Sequence, residues 1–211
     1  MVTARQRSSP DADRSLVERV HMAARSGVHL VQIRQPDYDA NALIRLVEEA
    51  ADAVRGTRAR VLVNDRLDIA LAGGAHGVHL RGDSIPASRV RAFAPAGFIV
   101  GRSVHSVEET RQAAHEGALD YLIFGTVFNT PSKPDQEGTG VGPLSEACVG
   151  VPLPVLAIGG MTEDRLGVVA SSGAAGFAAI NLFAECEPAS LVSIVDRAAR
   201  AFDTSKDVSL T

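Results

Sequence analysis

Tryptophan is absent from the 211-residue chain, and aromatic residues make up only 4% of it. A core with so little aromatic volume has to be filled by Ala, Val, Leu and Ile, which dominate the 45% of apolar residues. That profile suits β-branched strands packed against Ala-rich helices. Two cysteines, Cys148 and Cys186, match no metal-ligand spacing and make no disulfide framework. No Lys/Arg-rich block occurs and the net charge is −4, which argues against nucleic acid as the main partner. No apolar run approaches the length of a membrane span, and the first residues carry no apolar core of a signal peptide. The expected compartment is the cytoplasm, and a homo-oligomer is left open.

What is present is a strand–helix alternation. Leu16, Val17, Val20 and Ala24 share one face at helical spacing, and Gly27 comes next as a stop. His29–Arg34 reads as a strand, residues 40–55 as an amphipathic helix, and Ala59–Asp65 as a second strand. Further strands are expected at Gly77–Leu80, Phe98–His105, Tyr121–Gly125, Val151–Met161 and Gly173–Asn181, with helices over about 66–72, from near Pro86, from Ser106 to about Glu116, from Thr162 to Ser171, and a closing helix over 187–202. Ser106 with Glu109 forms a capping box. Including a weak strand at Met1–Thr3, eight such units are present, and eight parallel strands close into a barrel. The fold class is therefore α/β, a single (β/α)8 barrel over 1–211 with its first strand truncated. An open doubly wound sheet would carry a glycine-rich dinucleotide fingerprint after its first strand, and none is there.

Catalytic groups of such barrels sit at the C-terminal ends of the strands. Those ends carry Gln32 and Arg34, Asn64 and Asp65, His79, Ser103 and His105, Gly159 and Gly160, and Asn181. Residues 125–142 form an unusually long loop that includes Thr130 and one lysine, Lys133. Long loops leaving a core strand are either functional or mere excursions, and both readings stay open. The Gly159–Gly160 turn, ahead of a helix capped by Thr162, suits a phosphate held by backbone N–H groups. Asp65 could hold Mg²⁺ together with substrate phosphate oxygens, or could cap a helix. His79 and His105 lie on different strands and make no local zinc pair.

Taken together, QIR (Gln32–Arg34), VND (Val63–Asp65), GVHL (Gly77–Leu80), GRSVHS (Gly101–Ser106), FGTVFNTPSK (Phe124–Lys133), EGTGVG (Glu137–Gly142) and AIGGMT (Ala157–Thr162) resemble the thiamine phosphate synthase/TenI family across nearly the whole chain. The resemblance implies a (β/α)8 barrel and, for the synthases, a coupling of hydroxymethylpyrimidine diphosphate to thiazole phosphate with release of pyrophosphate and use of Mg²⁺. It implies small phosphorylated pyrimidine and thiazole substrates as partners. Gln32 would contact the pyrimidine. Arg34 and Asn64 would hold the diphosphate, Asp65 the metal, and Ser103 would lie near the reacting carbon. Thr130 and Lys133 would contact the phosphates, and Gly160 with the end of the last strand would complete the cradle. Ser103, Lys133 and Arg34 are the catalytic candidates; Gln32, Asn64, His105, Thr130, Gly159, Gly160 and Asn181 are the substrate-binding ones.

The chain also departs from the synthase pattern. Gln35 and Pro36 stand where Glu and Lys are usual, Ser84 where a second metal aspartate falls, and Asn181 where a serine does. The motifs GRSVHS and AIGGMT look closer to TenI, yet Thr126 replaces the TenI histidine after FG. A thiazole tautomerase and a non-catalytic thiazole-phosphate-binding protein are the alternatives to the synthase.

Overall fold

A computed structural model describes residues 1–130 and 136–207, with side chains described to residue 203. Seven parallel strands pair in strict sequence order: β1 (Leu30–Ile33), β2 (Arg60–Asn64), β3 (Gly77–Leu80), β4 (Ile99–Val104), β5 (Tyr121–Gly125), β6 (Val155–Ile158) and β7 (Gly176–Ala178). Helices α1 (Pro10–Arg25), α2 (Ala40–Ala53), α3 (Leu67–Ala72), α4 (Ala87–Arg91), α5 (Val107–His115) and α6 (Val141–Val149) run with the chain round the sheet. A 3₁₀ turn (Glu163–Arg165), α7 (Leu166–Ser171), α8 (Asn181–Ala184) and α9 (Pro188–Asp207) complete it. No described helix is long and apolar enough to cross a membrane.

The eighth strand survives as a stub. Val2 pairs in parallel with Gln32, the Thr3 amide donates to Gln32 O at 3.0 Å, and the Val2 amide donates to Ala179 O at 2.9 Å. Three residues thus bond to both edges of the sheet and close the barrel, as the truncated-strand reading expects. The stub is held by a buried amide. Gln35 Nε2 donates to Ala4 O at 2.7 Å and to Thr3 Oγ1 at 3.3 Å, while its Oε1 accepts from the Gln6 amide at 3.0 Å. Gln35 is thus a structural tether and not a vacancy in the substrate site. Gln35→Glu would lose both donated bonds and set a carboxylate against a carbonyl. The expected cost is about 2–3 kcal/mol, seen in a thermal melt at neutral pH as a fall in Tm of about 4–12 °C.

Strand alternation sorts the side chains into two cores. Val61, Val63, Val78, Leu80, Leu122 and Phe124 face outward and pack under the helices. Leu62, Tyr121, Ile123, Ala178 and Val2 fill the barrel interior. Above that interior layer, the same inward face carries Gln32, Asn64, His79 and Ser103.

Three elements differ from expectation. α1 begins at Pro10, not Ser15, because Ser9 caps it by accepting from the Ala12 amide at 3.3 Å, and proline is favoured at the first helical position. α6 begins in the last two residues of the expected loop and runs to Val149, over a stretch with no helix assigned from sequence; Gly142 and Pro143 occupy its first turn, where a missing N–H costs nothing. Asn181 opens α8 instead of ending a strand.

Candidate active site

The C-terminal ends of the strands open into one cavity of about 1060 Å³, large for a small-molecule site. Gln32, Arg34, Asn64, Ser103, His105, Thr130, Gly159, Gly160 and Asn181 all line it. Asp65 does not, and Lys133 lies outside the described residues.

Gln32 and Asn64 project inward from β1 and β2 and bind each other, Gln32 Nε2 donating to Asn64 Oδ1 at 2.8 Å. That bond leaves Gln32 Oε1 as an acceptor and Asn64 Nδ2 as a donor for a ligand. Arg34, two residues beyond Gln32, is exposed at the cavity edge, and its guanidinium makes no ion pair among the described residues. Its backbone is fixed, the amide donating to Thr3 Oγ1 at 2.9 Å. The arrangement is a free, well-based cation beside a polar amide pair.

His79 is buried between two hydroxyls, with Nδ1 2.9 Å from Tyr121 Oη and Nε2 2.8 Å from Ser103 Oγ. Burial pushes its pKa down to about 4, and the same burial raises that of the Tyr121 phenol. His79 is thus a neutral, doubly satisfied ring behind Ser103. A Cβ at Gly101 would fall on the Tyr121 ring, so the glycine of GRSVHS is what lets that ring cross to His79. His105 differs: its Nδ1 lies 2.5 Å from Gly125 O. A carbonyl only accepts, so Nδ1 carries a proton, and in the neutral tautomer the lone pair is on Nε2. The backbone at His105 is set by the helix cap, where its amide donates to Glu109 Oε2 at 2.8 Å and Ser106 Oγ accepts from the Glu109 amide at 3.1 Å.

After β6, at the same cavity, lies the double-glycine turn. Gly159 and Gly160 take φ values of 104° and 60°, and a Cβ on either would strike the loop at Thr126 or Asn129. Their amides make no hydrogen bond among the described residues, while Gly159 O accepts from the Phe128 amide at 3.2 Å. The chain continues into a 3₁₀ turn and the six-residue α7, so the cradle rests on free amides and not on a long helix dipole. Arg165 closes this end. It donates to Gly160 O at 2.5 Å and lies over the Phe128 ring at 4.6 Å. Sequence reading missed Arg165; its one signal was a cation five residues beyond Gly160.

The limbs of the long loop are tied together at its base. The Thr139 amide donates to Thr126 O and the Gly140 amide to Val127 O, both at 2.9 Å, and the Gly138 amide donates to Asn129 Oδ1 at 2.7 Å. Thr126, Asn129 and Thr130 all face the cavity, which makes the loop base part of the site.

Asp65 sits beside the cavity in a left-handed turn, φ 61°, its amide donating to His79 O at 2.8 Å. One carboxylate oxygen accepts from Ser84 Oγ; the other lies 3.7 Å from Arg81 Nε. Arg81, also missed from sequence, is held in a fork by Asp83 at 2.9 and 2.6 Å. Among the described residues no group of three or more His, Cys, Asp or Glu converges on a metal position. The donor set fits Mg²⁺ only as a one-carboxylate site completed by phosphate oxygens and water, a mode this ion accepts.

The cavity thus holds groups of a kind suited to anions at two places, Arg34 after β1 and the glycine amides with Arg165 after β6, together with polar amides and a serine. Comparison with known proteins places the chain in a family. The family model for thiamine monophosphate synthase matches residues 1–183. The thiamine-phosphate synthase of Roseiflexus castenholzii is 44% identical over 170 residues, which are 80% of this chain and 74% of that protein. The thiamine-phosphate synthase of Chlorobium luteolum is 38% identical over 178 residues, 84% of each chain. Among solved structures, thiamine phosphate pyrophosphorylase from Pyrococcus furiosus superposes with a TM-score of 0.79 at 28% identity, covering 97% of this chain and 95% of that one. With its sequence matched from residue 1 to 183 and its barrel superposed almost end to end, the chain belongs to the thiamine monophosphate synthase family.

Proposed function

We propose that the chain is a thiamine-phosphate synthase, joining hydroxymethylpyrimidine diphosphate to thiazole phosphate and releasing pyrophosphate. The observation that carries the reading is that Arg34 and the Gly159–Gly160 turn with Arg165 line one cavity, in a chain of this family. One substrate brings a diphosphate and the other a phosphate, so a synthase needs two such places.

On this reading Gln32 meets the pyrimidine, and Arg34 with the Asn64 amide group takes the diphosphate. The amides of Gly159 and Gly160, with Arg165 beside them, take the thiazole phosphate. The thiazole nitrogen attacks the pyrimidine methylene carbon as the C–O bond to diphosphate breaks. Charge grows on the leaving oxygens, and fixed cations aimed there lower the barrier. Asp65 is the residue that would hold Mg²⁺, whose charge would offset the same growth. Thr130 and Lys133 would add contacts from the loop. The test monitors pyrophosphate release from both substrates, with and without Mg²⁺; no release under either condition rejects the synthase.

One observation favours a second reading. The Asp65–Ser84 pairing, which occupies the carboxylate without a divalent ion, suits a proton-transfer reaction that needs none, as in a thiazole tautomerase. Ser84→Asp separates the two. A second carboxylate beside Asp65 should tighten Mg²⁺ binding at least about tenfold in calorimetry without substrates. It should raise pyrophosphate release and leave any proton exchange on the thiazole unchanged.

A further inference from the structure

The chain Tyr121–His79–Ser103 can in principle run in either direction, because both outer groups are hydroxyls that donate or accept. The buried phenol decides between them. Tyr121 is 6% exposed, and His79 is its sole hydrogen-bond partner among the described residues. If His79 Nδ1 carried the proton and donated to Oη, the phenolic O–H would be buried with no acceptor. Buried donors are rarely left so, since the loss is the full desolvation of the group. With the phenol donating to Nδ1, the ring proton sits on Nε2 and is given to Ser103 Oγ at 2.8 Å. Ser103 then receives a proton from behind, and its own O–H is left to turn toward the cavity that it lines.

We infer that Tyr121 is a positioning residue: through His79 it makes Ser103 a hydrogen-bond donor to a phosphate or diphosphate oxygen of the substrate. The inference rests on the synthase reading for the identity of the oxyanion, and on geometry alone for the direction of the chain. Gly101 belongs to the same device, since its missing side chain is the space that the Tyr121 ring crosses. The reverse direction would aim only lone pairs of Ser103 at the cavity, which would repel the same oxygen.

The test uses the whole protein labelled with ¹⁵N. Ring-nitrogen NMR should show His79 protonated at Nε2 in the wild type, and a shift of that tautomer in Tyr121→Phe, which removes one oxygen and keeps the ring. Calorimetry with inorganic pyrophosphate should show binding weakened about tenfold in Tyr121→Phe. In a Ser103→Ala background the same change should have no further effect. A wild-type ring protonated at Nδ1 would overturn the direction of the chain while the synthase stands. So would undiminished pyrophosphate binding in Tyr121→Phe, or an equal loss with and without Ser103. A wild type that released no pyrophosphate and bound neither pyrophosphate nor phosphate would remove the oxyanion role and the synthase reading together.

Discussion

Arg34→Ala should lower kcat/KM for the diphosphate substrate by about 10- to 150-fold and leave the melting temperature almost unchanged. The guanidinium is exposed at the end of β1 and makes no ion pair among the described residues. Its removal therefore breaks nothing in the fold, and the Thr3 bond to the Arg34 amide is a backbone contact that alanine keeps. A charge-assisted bond to phosphate contributes about 1.5–3 kcal/mol, which sets the range. Arg34→Lys keeps the charge and loses the planar fork, so it should fall between the wild type and alanine. The measurement is steady-state pyrophosphate release over a substrate titration, with a melt of each variant alongside. An alanine variant of full efficiency would mean that the diphosphate sits elsewhere, with Arg165 and the glycine turn the next place to look.

Much of this site was legible because strand periodicity and barrel topology act together. Gln32, Asn64 and Ser103 are readable as inward groups once their strands are placed, since alternate residues share a face and the outward neighbours are uniformly apolar. The barrel and its clipped first strand come from the same alternation. Asp65 was harder. It comes directly after β2, yet its left-handed turn carries the side chain out of the cavity toward Ser84 and Arg81. Local sequence says that an aspartate tolerates such a turn but not that it adopts one. Gln35 reads from sequence as a lost acid, because its three bonds run to Thr3, Ala4 and Gln6, about thirty residues away. Arg81 and Arg165 were missed for a related reason: an arginine in the loop after a strand or on a short 3₁₀ turn carries no local mark of facing a cavity. The start of α6 was hidden by composition, as Gly142 reads as loop and Pro143 as a breaker although a first turn accepts both.

Gly160→Ala should damage stability and phosphate binding together. The residue has φ 60°, where a side chain costs roughly 1–2 kcal/mol. An added Cβ would lie 2.5 Å from Asn129 O and 2.8 Å from Phe128 Cβ, and such overpacking costs about 1–3 kcal/mol more. The sum, about 2–5 kcal/mol, should lower Tm by about 4–20 °C. Relief can come only by moving the loop base away from the turn. That motion disturbs the Phe128 ring under Arg165 and the amides that face the cavity. Affinity for thiazole phosphate should therefore fall at least about tenfold in the fraction that remains folded. Gly117→Ala is the control: φ is 67° and no atom lies within 4 Å of its would-be Cβ. It carries the same backbone strain and nothing else, so it should lose stability modestly and bind thiazole phosphate like the wild type. Calorimetry below both melting transitions reads the difference. Equal affinity in the two variants would show that the glycine turn shapes the fold without holding the phosphate.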